Sequence, residues 1–438
     1  MNFSKKHFIF LLISMFVFAF NSCSDSNNDE EPAPDPPGTT YHRSVVIYMA
    51  AQNSLGNVGA SRLDSAEIIR GTAKLTNDKD NVLFFLDDKA LPRLYRIYKY
   101  KNRTIIEKIL TWADDACSSD PATLCSVLKT VSQRYPSLSY GLVLWSHGNG
   151  WLPSTNKQNT LQTTQRAFGV DVGPGGNMNT DQDSQGKTGV QMDIKDMAQA
   201  IKQSGVHLDY LFFDACLMQN IEVAYELKDV TDYVVGSATS TSAYGGYYTN
   251  LIPQALFAYP ANDDNVSRIA NQYFYDACTN PDLKKYYNNF GNVNSVIKTA
   301  NLDELAQTTA QYVSSVFANK ATPDLSNIVA YFPSDQFNMP DFFDMGCAMK
   351  KLLTPTDYQA WVNVARKCII THNASSSFVV TYYNNEAIMG EVTDPESVLG
   401  VTMFIPRQRF IYPPYSSYNE EFHSTSWYTK AGWTETGW

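Results

Sequence analysis

Between residues 43 and 238, short apolar runs alternate with longer amphipathic stretches, a pattern that restricts the fold more than any other feature of the chain. The runs RSVVIYMA (43–50), NVLFFLDD (81–88), YGLVLWS (140–146), LDYLFF (208–213) and DYVVGSA (232–238) read as strands. Helical spacing links Leu63, Ala66, Ile68 and Ile69, then Leu124, Val127, Leu128 and Val131 in 121–135, and Ile194, Met197, Ala198 and Ile201 in 192–205. A further helix is predicted over 217–227, and LYRIYKYK with TIIEKILTW reads as a hairpin. Strands alternating with helices are the mark of an α/β sheet with helices packed on it. From about residue 261 onward, helices such as 302–317 and short strands such as VTMFIP read as a second half packed on the first. Residues 150–191 lose all periodicity and fill with Thr, Asn, Gln, Asp and Gly, so an exposed, mobile segment is expected there, longer than an inert loop usually is.

The first residues read as an address. Lys5 and Lys6 precede an apolar run to Phe20, too short to span a membrane comfortably, followed by Asn21-Ser22-Cys23. A small residue before a cysteine after such a run resembles a lipoprotein processing site. Residues 1–22 are then a signal peptide and Cys23 the lipidated first residue of an exported, membrane-anchored protein, at the bacterial outer membrane or cell surface. The alternative is ordinary secretion with an incidental Cys23. Residues 23–41, rich in acid, Asn and Pro, cannot bury enough apolar surface to order themselves and read as a tether. The net charge of −10 offers no basic face for a phosphate backbone, which argues against nucleic acid as a partner. Beyond Cys23 six cysteines remain, with no CxxC pair, so neither a zinc site nor a disulfide framework is indicated.

Two runs end in reactive side chains: YGLVLWS leads into His147-Gly148, and LDYLFF into Asp214-Ala215-Cys216. Sites gather at the carboxyl ends of strands in open α/β sheets, so neighbouring strands would aim imidazole and thiol into one crevice. A helix opening directly after Cys216 would favour thiolate through its positive end. Cys216 can then act as nucleophile, His147 as proton donor to a leaving amine, and the backbone N–H groups of Gly148 and Cys216 as oxyanion donors. The tripeptide Asp-Ala-Cys occurs three times, at 115–117, 214–216 and 276–278, and means little alone. Only the middle copy follows an apolar strand and precedes a helical pattern. Of the six histidines, only His147 is followed by glycine. A lone histidine or cysteine is usually a core residue, but the two together in this setting point to acyl transfer. Gly186-Lys187-Thr188 is not a phosphate loop, since Asp181 stands where the first glycine is required.

LVLWSHGNGW and LDYLFFDACLMQNIEVAYEL resemble the His-Gly and Asp-Ala-Cys blocks of the clostripain family of caspase-like (clan CD) cysteine peptidases. VVIYMAAQNSL is similar to that family's first strand and turn, and GVTMFIP and the Trp427-containing tail to its C-terminal portion. The resemblance implies a caspase-like three-layer α/β sandwich with a mostly parallel central sheet in 42–260, with 261–438 as the C-terminal portion of the peptidase. It implies a dyad of Cys216 and His147 and cleavage after Arg or Lys, with Asp214 in the substrate pocket. The other reading of Asp214 is a cap on the following helix. Relatives tend to carry acids just after the next strand, whereas this chain has Thr239-Ser240-Thr241-Ser242. The resemblance also implies self-cleavage within 151–191, with Lys187, Lys157 and Arg166 as candidate points; an uncut loop is the alternative. No cofactor is required. Part of the family depends on calcium, for which Asp171, Asp181 and Asp183 could offer oxygens, although their spacing forms no dedicated loop.

The competing function from another class is a surface lipoprotein that binds glycans or peptides on its tyrosines, with an inactive or altered-specificity site. The partners expected on the main reading are protein or peptide substrates.

Overall fold

In the computed structural model the described residues are 36, 38–152, 168–287, 290–332, 342–383, 386–411 and 418–438. The predicted signal segment, Cys23, Lys157 and Arg166 lie outside them. The expected strands form as β1 (Arg43–Ala50), β2 (Asp80–Asp87), β3 (Arg93–Tyr100), β4 (Arg103–Thr111) and β5 (Tyr140–Trp145). After two short strands, β6 (Phe168–Asp171) and β7 (Val190–Met192), come β8 (Tyr210–Asp214), β9 (Tyr233–Ser237), β10 (Val293–Lys298), β11 (Phe343–Asp344), β12 (Ile369–Ala374), β13 (Ser377–Tyr383), β14 (Glu386–Glu391) and β15 (Thr402–Met403). Nine of them make one sheet in the order β12-β10-β9-β8-β5-β1-β2-β3-β4. The centre, β9-β8-β5-β1-β2, is parallel, and antiparallel pairs extend it at both edges.

Both faces of this centre are covered, which is why its strands read as continuous apolar runs. Alternate residues divide between two cores. Val46, Tyr48, Leu83, Phe85, Leu142, Leu144, Leu211 and Phe213 face one, beneath α3 (Pro121–Arg134), α4 (Ile194–Ser204) and α5 (Ile221–Leu227). Val45, Ile47, Met49, Val143, Trp145, Tyr210 and Phe212 face the other, beneath α2 (Ala60–Thr72), which follows the single turn α1 (Ser54–Asn57), and the helix Asp263–Phe274. The result is a three-layer sandwich. Local chemistry starts and stops these helices: Asp120 caps α3 ahead of Pro121, and Gly205, at φ 76°, ends α4 in the left-handed conformation. In α2 the buried face is Asp64, Ile68, Gly71 and Thr72, whereas Leu63, predicted to point inward, is exposed. Polar Asp64 holds the inward place because the Trp145 indole N–H donates to it at 2.7 Å.

C-terminal α/β elements pack against the sheet, and β10 and β12 among them also extend it beyond β9. VTMFIP is extended for only two residues, Thr402–Met403, which pair with β11. Within 150–191 the described part departs from the expectation of a mobile segment. β6 and β7 pair, and Asp171 at the end of β6 and Asp181 in the connection between them are buried. Backbone and carboxylate hydrogen bonds fold this polar stretch without apolar periodicity, which is why its order is invisible in the hydrophobic pattern. The six described cysteines are all free thiols. No helix among the described residues is long and apolar enough to cross a membrane.

Candidate active site

Three neighbouring parallel strands deliver their carboxyl ends to one edge of the sheet: β1 leads to Asn53 and Ser54, β5 to His147, and β8 to Cys216. In the β5–β8 register Trp145 pairs with Asp214. His147 and Cys216 each follow two residues later, so they extend from paired positions. The two extensions also touch: a Cβ built on Gly148 would sit 2.7 Å from the Cys216 carbonyl oxygen. Glycine is required there for this contact as well as for any approach to a substrate carbonyl.

No hydrogen bond joins imidazole and thiol in this structure. The Cys216 thiol lies against Thr241, whose backbone N–H donates to Sγ at 3.2 Å and whose hydroxyl is 3.4 Å away. His147 Nε2 is 2.9 Å from the Ser54 hydroxyl and 3.5 Å from Asp181 Oδ2. Burial pushes the thiol above its ordinary range, with the Thr241 hydroxyl and N–H offsetting part of the rise. Burial pushes the imidazole below its ordinary value, and the Asp181 carboxylate opposes that. The resting pair at neutral pH is therefore thiol and neutral imidazole.

One expectation fails here for a local reason. α5 opens at Ile221, with Asn220 as its cap, four residues later than predicted. Leu217 instead takes a left-handed turn, φ 58°, and its N–H goes to the Thr239 carbonyl. Cys216 is thus not at a helix N-terminus, and Thr241 replaces the helix dipole as the group favouring thiolate. Among the described residues, neither Gly148 nor Cys216 spends its backbone N–H on another backbone carbonyl.

Asp214 does not cap α5, whose cap is Asn220. It is buried, accepting from the Gly246 N–H at 2.9 Å and the Tyr248 hydroxyl at 2.8 Å, while its Oδ1 has no hydrogen-bond partner. Burial raises its carboxyl to about 6, with the Gly246 N–H and the Tyr248 and Tyr273 hydroxyls holding it down. Gly245, at φ 54°, arches over it, and a Cβ there would lie 2.8 Å from Oδ2. Thr239-Ser240-Thr241-Ser242 brings no acid, but α2 does. Glu67 accepts from the Tyr248 N–H, and both Asp64 and Glu67 feel the field of Asp214. Burial, together with that field, raises both carboxyls, Glu67 to about 7.

Of the calcium candidates, Asp171 accepts from Ser118 and Gly173, Asp181 from Ser54, and Asp183 from the Gln185 and Lys187 N–H groups. The three carboxylates are spent on separate partners, and no cluster of three His, Cys, Asp or Glu suited to a metal occurs among the described residues. Lys187 lies in an exposed turn whose N–H and carbonyl are both tied to Asp183. Sequence reasoning missed Asn53, Ser54, Thr241, Asp64, Glu67 and the contact of Asp181 with His147. Asn53 could have been found as a cap signal ahead of Ser54-Leu55. The others sit beside the site only after long-range pairing.

A sequence profile described as the Clostripain family matches residues 47–438. No curated protein matches the chain. Among solved structures, the chain is similar to a secreted C11 cysteine protease from Bacteroides thetaiotaomicron in complex with an irreversible peptide inhibitor. That likeness has 25% identity and TM-score 0.71, covering 90% of this chain and 99% of the other. It is similar also to an inactive zymogen C11 protease from Parabacteroides distasonis, at 25% identity and TM-score 0.68 over 90% and 99% of the two chains. A third similarity, to the secreted B. thetaiotaomicron protease iotapain, has 19% identity, TM-score 0.68 and coverage of 90% and 100%, and bears on the fold alone. With the profile spanning nearly the whole folded chain, and the His-Gly and Asp-Ala-Cys segments abutting at adjacent strand ends, the chain belongs to the clostripain family of cysteine peptidases.

Proposed function

We propose that this protein is an endopeptidase that cleaves after Arg or Lys through a covalent acyl-enzyme, with Cys216 as nucleophile and His147 as its proton carrier. The observation that carries the proposal is the β5–β8 register, from which both residues extend out of one matched pair. A substrate carbonyl above the thiol accepts from the N–H groups of Gly148 and Cys216. His147 takes the Sγ proton as Sγ bonds to the carbonyl carbon. The same proton then goes to the departing amine, leaving a thioester that water hydrolyses. Because the resting pair is neutral, the charge separation arises on substrate engagement.

Selection of a basic side chain rests on Asp214, whose unpartnered buried oxygen suits a cation, while burial favours the uncharged forms of Asp64 and Glu67 beside it. The Gly245–Gly246 arch and Tyr248 close over Asp214 here, so that turn has to shift to admit a side chain. Self-cleavage at Lys187 would open the Asp183-bound turn; Lys157 and Arg166 are further candidate points outside the described residues. Export with a lipid on Cys23 belongs to the same proposal and is supported by the Lys5-Lys6 and apolar pattern ahead of it.

Mass spectrometry after incubation with a basic peptide chloromethyl ketone tests the assignment. An adduct on Cys216 in wild type and none in Cys216→Ala is expected, with any cut in 151–191 visible in the same spectra. Absence of an adduct even after nicking that segment with trypsin would reject basic-specific peptidase activity.

A further inference from the structure

Asp181 belongs to the stretch between the two reactive strand ends, yet it is buried against His147 and takes a positive φ of 55°. Few non-glycine residues hold such a backbone, and aspartate and asparagine tolerate it best. Its carboxylate is gripped by Ser54, whose N–H donates to Oδ1 at 2.6 Å and whose hydroxyl donates to Oδ2 at 2.9 Å. That hydroxyl also meets His147 Nε2 at 2.9 Å, with Asp181 Oδ2 3.5 Å from the same nitrogen. Ser54 is itself fixed, because Asn53 ties the end of β1 to the Ser146 hydroxyl and the Val170 carbonyl. Nε2 is therefore occupied. Nδ1, with no hydrogen-bond partner among the described residues, is the nitrogen left for the thiol.

We infer that Asp181 is a positioning residue for the peptidase reaction: with Ser54 it fixes the His147 ring by Nε2 and stabilises the imidazolium formed when Nδ1 takes the Cys216 proton. This rests on the proposed peptidase reading and deepens it by adding a third partner to the pair. The physical need is plain. An imidazolium in a buried site is costly unless a carboxylate faces it. Asp181 is the charged group facing His147 among the described residues, and Cys216 is the titratable group at the neighbouring strand end. A cut after Lys187 would leave Asp181 on the upstream piece, still attached to β6 and Ser54.

The test is a titration of the His147 Cε1 signal by NMR in the full chain carrying Cys216→Ala, the signal being assigned with His147→Gln. Asp181→Asn keeps the shape and the backbone preference while removing the charge, and should lower the His147 midpoint by about one unit or more. With Cys216 present, Asp181→Asn should lower kcat on a Lys or Arg reporter about tenfold or more, with KM little changed, because the charge it removes matters only once the imidazolium forms. Asp183→Asn, in the same loop but facing its own turn, should leave the midpoint in place. An unmoved midpoint in Asp181→Asn overturns the inference, and so does an equal displacement in Asp183→Asn, which would assign the effect to the loop fold. A midpoint displaced by Asp181→Asn, together with a wild-type protein that hydrolyses no basic reporter, supports the coupling and rejects the basic-specific peptidase reading.

Discussion

Asp214 shows how one residue can hold a site between two needs. Its carboxyl is raised to about 6 by burial, so at neutral pH it is ionised but poorly compensated. An entering guanidinium or ammonium group would relieve that cost, and the relief is available to basic side chains alone. As pH falls through about 6 the carboxylate is protonated and the attraction is lost, so kcat/KM for an Arg or Lys reporter should decline there. Asp214→Asn should lower kcat/KM for a basic reporter on the order of 100-fold or more, with a much smaller effect on a neutral one. Steady-state kinetics on the two reporters from pH 5 to 8 checks both. The sign for stability is separate. Between the unfolded value near 4 and the folded value near 6, the folded chain keeps a proton that the unfolded chain has lost, so ionising Asp214 lowers stability as pH rises across that window.

The elements most important to the site are the short connections beyond the strand ends. The segment after β1 turns on Asn53, whose amide donates to the Ala50 carbonyl, the Ser146 hydroxyl and the Val170 carbonyl while its oxygen accepts from the Leu55 and Gly56 N–H groups. One buried side chain thus joins β1, β5 and β6. Asn53→Ala removes these bonds from the Val170 carbonyl and the Leu55 and Gly56 N–H groups, although Ser146 still donates to the Ala50 carbonyl, and should cost about 3 kcal/mol, measured as a lower urea midpoint with an unchanged slope. It should also slow turnover, because Ser54 loses its anchor. The helix after Cys216 was legible as a helix but not in its start: Leu217 and Met218 are apolar and continue the pattern, yet tertiary contacts with Thr239 and Gly148 impose a turn on them.

Across the whole molecule, the C-terminal half encloses the sheet and completes its edge. Trp427 is fully buried and packs edge-on against Tyr225 of α5, with ring centroids 5.7 Å apart, so the C-terminal segment buttresses the helix that follows Cys216. Trp427→Ala should destabilise the fold by about 3–5 kcal/mol, read as a lower melting temperature. Activity at low temperature should be partly retained, since no group that meets substrate is removed.

Alternating apolar runs by themselves determined a sheet covered on both faces, and the residues after two of those runs marked His147 and Cys216, because burial writes a local and repeating pattern. The inner place of Asp64, the turn at Leu217, the order of the polar stretch around Asp171 and Asp181, and the Thr241 contact with the thiol were decided only by tertiary structure. Each depends on a hydrogen bond between residues far apart in the chain, and polar partners at that distance leave no periodicity in the sequence.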